Sequence, residues 1–79
     1  MKVDIITPDK KLYSGEANLV QVPGTQGSFE ILKNHAPIIS TLKTGQVKLI
    51  DPNKQTVLFD IKSGVIEVLN NTITILALL

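Results

Sequence analysis

Apolar residues return at every second position along most of this chain. Val3 and Ile5 alternate with Lys2 and Asp4, Val47 and Leu49 flank Lys48, and Val57, Phe59 and Ile61 alternate with Leu58, Asp60 and Lys62. The stretch EANLVQV sets Ala17, Leu19 and Gln21 against Asn18, Val20 and Val22, and VIEVL and TITILAL continue the same rhythm. Successive side chains of an extended backbone point to opposite faces, so this pattern describes half-buried strands. No segment of ten residues carries the 3.6-residue period of a helix. APIISTLK has room for a short helical turn at most, because Pro37 and the β-branched Ile38 and Ile39 oppose more.

Turn residues punctuate the strands. TPDKK (7–11), PGTQG (23–27), KTG (43–45), DPNK (51–54), KSG (62–64) and NN (70–71) recur at the spacing of an all-β sandwich or barrel. Asp51-Pro52-Asn53-Lys54 reads as a type I turn with proline in second place. Asn70-Asn71 supplies the positive φ that a tight hairpin needs. The expectation is one all-β domain over residues 1–79.

Composition removes several functions. With 43% hydrophobic and 19% charged residues the chain is globular. It has no cysteine, hence neither disulfides nor thiolate metal sites. Eight lysines, seven acids and no arginine give a net charge of +1, and only Tyr13, Phe29 and Phe59 are aromatic. That set offers neither the basic surface nor the stacking platform of a nucleic-acid binder. No signal peptide and no apolar run of membrane-spanning length is present.

The lone histidine, His35, invites a catalytic reading. Ser28 and Ser40 are near it in sequence, but neither lies in a nucleophile elbow. One histidine without cysteine would need three carboxylates to hold zinc, and the acids are scattered. Gly24 and Gly27 are followed by no lysine-bearing phosphate loop. No enzyme activity, cofactor or metal is expected. What stands out is apolarity: Ile31, Leu32, Ala36, Pro37, Ile38 and Ile39 fall within nine positions. A loop of that kind either plugs the end of the sandwich or forms an exposed patch for a partner.

The stretch VPGTQGSFEILKNHAPIISTLKTGQVKLI, from Val22 to Ile50, resembles the amino-terminal domain of the epsilon subunit of F-type ATP synthases. The resemblance rests on Val22-Pro23-Gly24, on Gly27 to Leu32 leading into His35-Ala36-Pro37, and on Lys43-Thr44-Gly45 before an alternating strand. It extends to a Tyr13-Ser14-Gly15 turn near the start and to the closing strands of IKSGVIEVLNNTITILA. It implies a flattened β-sandwich of about ten short strands in the central stalk, a non-catalytic part of the rotor. The partners implied are the gamma subunit and the c-ring, with the complex at the cytoplasmic face of a bacterial inner membrane. Position by position, Thr7, His35, Ala36, Pro37, Ile38 and Ser40 are expected to face gamma, and Gly24, Thr25, Gln26, Gly27 and Ser28 the c-ring. Serine at 28, where the family often carries an acid, leaves hydrogen bonding in place of charge pairing. Most members continue into a carboxy-terminal pair of helices. That two-helix domain is absent from this sequence, so neither inhibition of hydrolysis nor ATP sensing is expected of it. The alternative is a biotinyl- or lipoyl-type carrier domain modified on Lys54, the one lysine at a plausible hairpin tip.

Overall fold

The computed structural model describes residues 1–79 and contains nine strands and no helix. In chain order these are β1 (Lys2–Ile6), β2 (Lys11–Glu16), β3 (Leu19–Gly24), β4 (Gly27–Leu32), β5 (Ile38–Leu42), β6 (Gly45–Ile50), β7 (Thr56–Ile61), β8 (Ser63–Leu69) and β9 (Thr72–Leu78). They form one continuous sheet in the order β2-β1-β9-β8-β5-β3-β6-β7, with β4 on the other side of β3. Strands β5 and β3 meet through a single pair, Gly24 opposite Leu42. Here the sheet curls over, and the layer β2-β1-β9-β8-β5 closes on the layer β4-β3-β6-β7.

The period of two becomes a core because alternate residues of neighbouring strands fall into rows. Ile31, Val20, Leu49 and Val57 line up across β4-β3-β6-β7. Val3, Ile73, Val68 and Ile38 do the same across the facing layer, as do Ile5, Ile75 and Ile66. Fifteen buried apolar residues make one cluster. The turns behave as their residues dictate. Asn70 and Asn71 have φ of 51° and 58°, closing a two-residue hairpin between β8 and β9. In the 51–54 turn, Lys54 N donates to Asp51 O, and Asp51 Oδ1 accepts from the amides of Asn53 and Gln55.

Four local expectations are corrected. Ile38 and Ile39 are not loop residues: with Ser40, Thr41 and Leu42 they form β5, paired along its length with β8. Their β-branching favours this extended state, and β8 supplies the partner that no local signal reveals. Tyr13-Ser14-Gly15 is not a turn but lies inside β2, whereas the turn expected at TPDKK forms at 7–10, held by Thr7. The backbone instead adjusts by a bulge, with Ile5 opposite Tyr13 and Ile6 opposite Lys11, so Leu12 is left over. Ala17 precedes β3 and is buried, whereas Leu19 and Gln21 are half-exposed, so the three do not share one face. Gly64 belongs to β8, leaving Lys62 as the corner between β7 and β8.

Candidate partner-binding surface

The strand directions sort the expected contact residues. Strands β1, β9 and β5 run the same way, and β8 runs against them. Their starting ends therefore gather the 33–37 loop and the Asn70-Asn71 turn. Their finishing ends gather Thr7, Leu42 and the turn between β3 and β4. His35, Ala36 and Pro37 thus sit at one end of the sandwich and Thr7 at the other, separated by the length of β5, about 14 Å. Ile38 and Ser40 lie between them.

At the first end, Leu32 to His35 form a turn in which His35 N donates to Leu32 O, with Asn34 at φ 62°. Nδ1 of His35 is 2.7 Å from the carbonyl oxygen of Ala36. A carbonyl only accepts, so Nδ1 carries the hydrogen and Nε2 is left for another group. His35 is half-buried, while Ala36 and Pro37 are exposed. Along β5, Ile38 and Ser40 turn toward the interior and are half-buried, whereas Ile39 points outward and is 72% exposed.

At the second end, Thr7 is buried and engaged in its own turn. Its hydroxyl donates to Lys10 O and accepts from the amides of Asp9 and Lys10. At the same end, Thr25 N donates to Thr41 O, and the hydroxyls of Thr25 and Thr41 are 2.9 Å apart. Thr25, Gln26, Gly27 and Ser28 are exposed, but Gly24 is buried. A Cβ on Gly24 would stand 2.6 Å from Gly27 O, so glycine there lets the hairpin close, and Gly27, at φ 129°, completes it. Ser28 Oγ accepts a hydrogen bond from Gln21 Nε2 across β3 and β4.

Between the two ends runs a concave apolar strip that only the pairing creates. Thr41, Val65, Leu76 and Ile6 stand side by side on the outer face of β5, β8, β9 and β1, with Leu78 beyond. Three adjoining depressions follow this face. The largest, about 610 Å³, reaches from Thr41 and Val65 to Thr7 and Pro8. A second, about 220 Å³, lies between Ile39, Val65 and Leu76, and a third, about 410 Å³, reaches Pro37 and Leu69; Glu67, opposite Ile39, is the one charged residue that lines both. Val65, Leu76 and Leu78 were not singled out from the sequence. Their signal is apolarity on both phases of VIEVL and TITILALL, where one phase would have sufficed for the core.

The architecture is shared with chains found in two structures of mitochondrial ATP synthases. The chain superposes on one from the Euglena gracilis mitochondrial ATP synthase structure (OSCP/F1/c-ring, rotational state 1), with a TM-score of 0.91 at 13% identity. It covers 98% of this chain and 49% of that one. A chain of the Tetrahymena thermophila mitochondrial ATP synthase central stalk/c-ring structure gives 0.83 at 19% identity, covering 99% of this chain and 63% of that one.

At those identities the likeness shows the fold, and the sequence supplies the family. Residues 1–78 match the profile of the ATP synthase delta/epsilon chain β-sandwich domain, and the chain belongs to that family. It is 44% identical over 70 residues to the ATP synthase epsilon chain of Chlorobium limicola, covering 89% of this chain and 80% of the relative. The Caulobacter vibrioides epsilon chain gives 42% over 73 residues, covering 92% and 84%. Against the Leptospira interrogans epsilon chain it is 42% over 76, covering 96% of this chain and 59% of that one. The epsilon chain is a structural and regulatory subunit rather than a catalytic one. Lys54 does stand at the tip of the β6–β7 hairpin, at φ 64°, but the family match gives no support to the carrier-domain alternative. No helix is long and apolar enough to cross a membrane.

Proposed function

We propose that this chain is a rotor subunit of the central stalk of an F-type ATP synthase. It binds the gamma subunit along β5 and the c-ring through the 24–28 turn, and so helps couple ion translocation to ATP synthesis or hydrolysis. Through that complex it is held peripherally at the cytoplasmic face of a bacterial inner membrane. The observation that carries this reading is the apolar strip from Pro37 to Pro8, with the His35 loop at one end and Thr7 at the other. A permanent complex buries about 2,000 Å² or more in total, roughly 1,000 Å² from each partner. Of this domain's 4734 Å² of surface, the strip is an apolar stretch fit to be the dry centre of such a contact. The partner polar groups then meet His35 Nε2 at one end of the strip and the Thr41 hydroxyl at the other.

The test is co-expression of the full chain with the gamma subunit of the same organism, followed by size-exclusion chromatography. A one-to-one complex is expected. Ile39→Glu, at a site 72% exposed and directly opposite Glu67 of β8, leaves the melting temperature close to wild type but abolishes co-elution, because it removes the apolar contact and sets a second carboxylate beside the first. His35→Ala stays folded and weakens binding about fivefold, the worth of one hydrogen bond. A clean monomer that ignores gamma, with both variants indistinguishable from it, overturns the reading.

A further inference from the structure

We infer that Asn71, remote in sequence and itself on no proposed interface, is the residue that positions the His35 loop for its partner. The inference rests on the reading of that loop as a gamma contact. Asn71 is the second residue of the β8–β9 turn, and its side-chain Oδ1 accepts a hydrogen bond of 2.9 Å from the backbone amide of Asn34, 37 residues earlier. This is the one side-chain hydrogen bond joining the 33–37 loop to another element.

The bonded amide is the sensitive one. The turn Leu32-Lys33-Asn34-His35 has positive φ at its third residue, the pattern of a type II turn. Type I and type II turns differ in the orientation of their central peptide, here Lys33–Asn34, whose N–H is the group that Asn71 receives. Holding that peptide sets the direction in which the chain leaves toward His35, whose own hydrogen bonds reach only Leu32 and Ala36. Asn71 is itself anchored, since its carbonyl accepts from Lys2 N, tying the turn to the start of β1. The loop is therefore referenced to the paired end of β1, β8 and β9 rather than left to its own residues.

Two substitutions separate this role from turn formation. Asn71→Gly keeps the turn, because glycine adopts φ 58° without penalty and the main-chain bond to Lys2 survives, but it removes the acceptor. Asn71→Asp keeps an acceptor oxygen in the same place. The measurements, on the full chain, are amide hydrogen exchange at Asn34 and affinity for the gamma subunit. In Asn71→Gly the Asn34 amide is expected to exchange faster and gamma affinity to fall about two- to tenfold, the range of a single hydrogen bond. Asn71→Asp is expected to retain both. Faster exchange with undiminished affinity overturns the positioning role, as does unchanged exchange in Asn71→Gly or equal weakening in both variants. If the wild type itself fails to bind gamma, the proposed function falls, and this inference falls with it.

Discussion

Asp4 shows what one outward side chain adds to a sheet. It lies on the outer face of β1 between Thr74 of β9 and Ser14 of β2. Its Oδ1 has no hydrogen-bond partner, and Lys11 Nζ stands 3.8 Å away. The Ser14 hydroxyl, ahead of the charges of Lys11 and Lys2, holds the carboxyl below its ordinary value of 3.8, against some desolvation. A depressed folded value means that the unfolded chain takes up the proton more readily. The contribution is therefore complete above pH 3.8 and is lost as pH falls through the folded value. Asp4→Asn should accordingly flatten the acid limb: thermal melts between about pH 5 and pH 2 fall less steeply for the variant than for wild type. Equal slopes would show that Asp4 is not coupled to folding. This part of the surface was only half visible in advance. Period two placed Asp4 on the polar face and TPDKK marked the turn that follows it, but Ser14 was expected in a turn of its own, not in a strand facing Asp4.

The corner between β7 and β8 shows how an element changes layer with almost no loop. The chain turns on Lys62 alone, whose amide donates to Leu78 O and whose carbonyl accepts from Thr44 Oγ1. Gly64, two residues on, lies opposite Ala77, where a Cβ would stand 2.6 Å from the Leu76 carbonyl oxygen. That neighbour is backbone and cannot swing away. Gly64→Ala is expected to push β8 from β9 and to cost about 1–3 kcal/mol in a urea titration. A variant as stable as wild type would show that the ladder relaxes there at no cost. KSG was read as a turn, with its glycine as a turn residue. The structure uses the glycine for closeness instead. Composition cannot distinguish these two uses, since both require only a missing side chain. The turns at 51–54 and 70–71 were legible because their geometry is written in the residues that form them.

For the whole molecule, closure depends on two of the sheet's edge strands, β2 and β7. Tyr13 of β2 and Phe59 of β7 come from opposite ends of the strand order, yet their rings meet edge to face at 6.1 Å. Both pack against the core, and the Tyr13 hydroxyl donates to Glu16 O. The pair closes the open side of the curled sheet, opposite the Gly24–Leu42 fold. A double-mutant cycle of Tyr13→Leu and Phe59→Leu should return a coupling of about 0.5–1.5 kcal/mol. Against a total stability of roughly 4–12 kcal/mol for a chain of this size, that is a visible fraction of the fold. A coupling near zero would mean that the edges close without it.

Alternation alone told that Val3, Ile5, Val47, Leu49 and Ile61 lie on buried phases of strands, because an extended chain has only two faces and polar residues occupied the other. The family resemblance added the sandwich. Neither said which phase of TITILALL would be inside. Ile75 and Leu76 are equally apolar neighbours, yet Ile75 is fully buried and Leu76 is 54% exposed. That choice belongs to register. Parallel pairing with β1 sets Ile75 beside Ile5, antiparallel pairing with β8 sets it beside Ile66, and Leu76 is left to face outward beside Val65. The partners of β9 begin 70 residues away in one direction and adjoin it in the other. Local propensity carries no record of such distances, and a shift of one residue would exchange the core for the exposed apolar strip. Burial by phase is a property of the strand itself. The apolar surface left uncovered exists only once the sheet has closed.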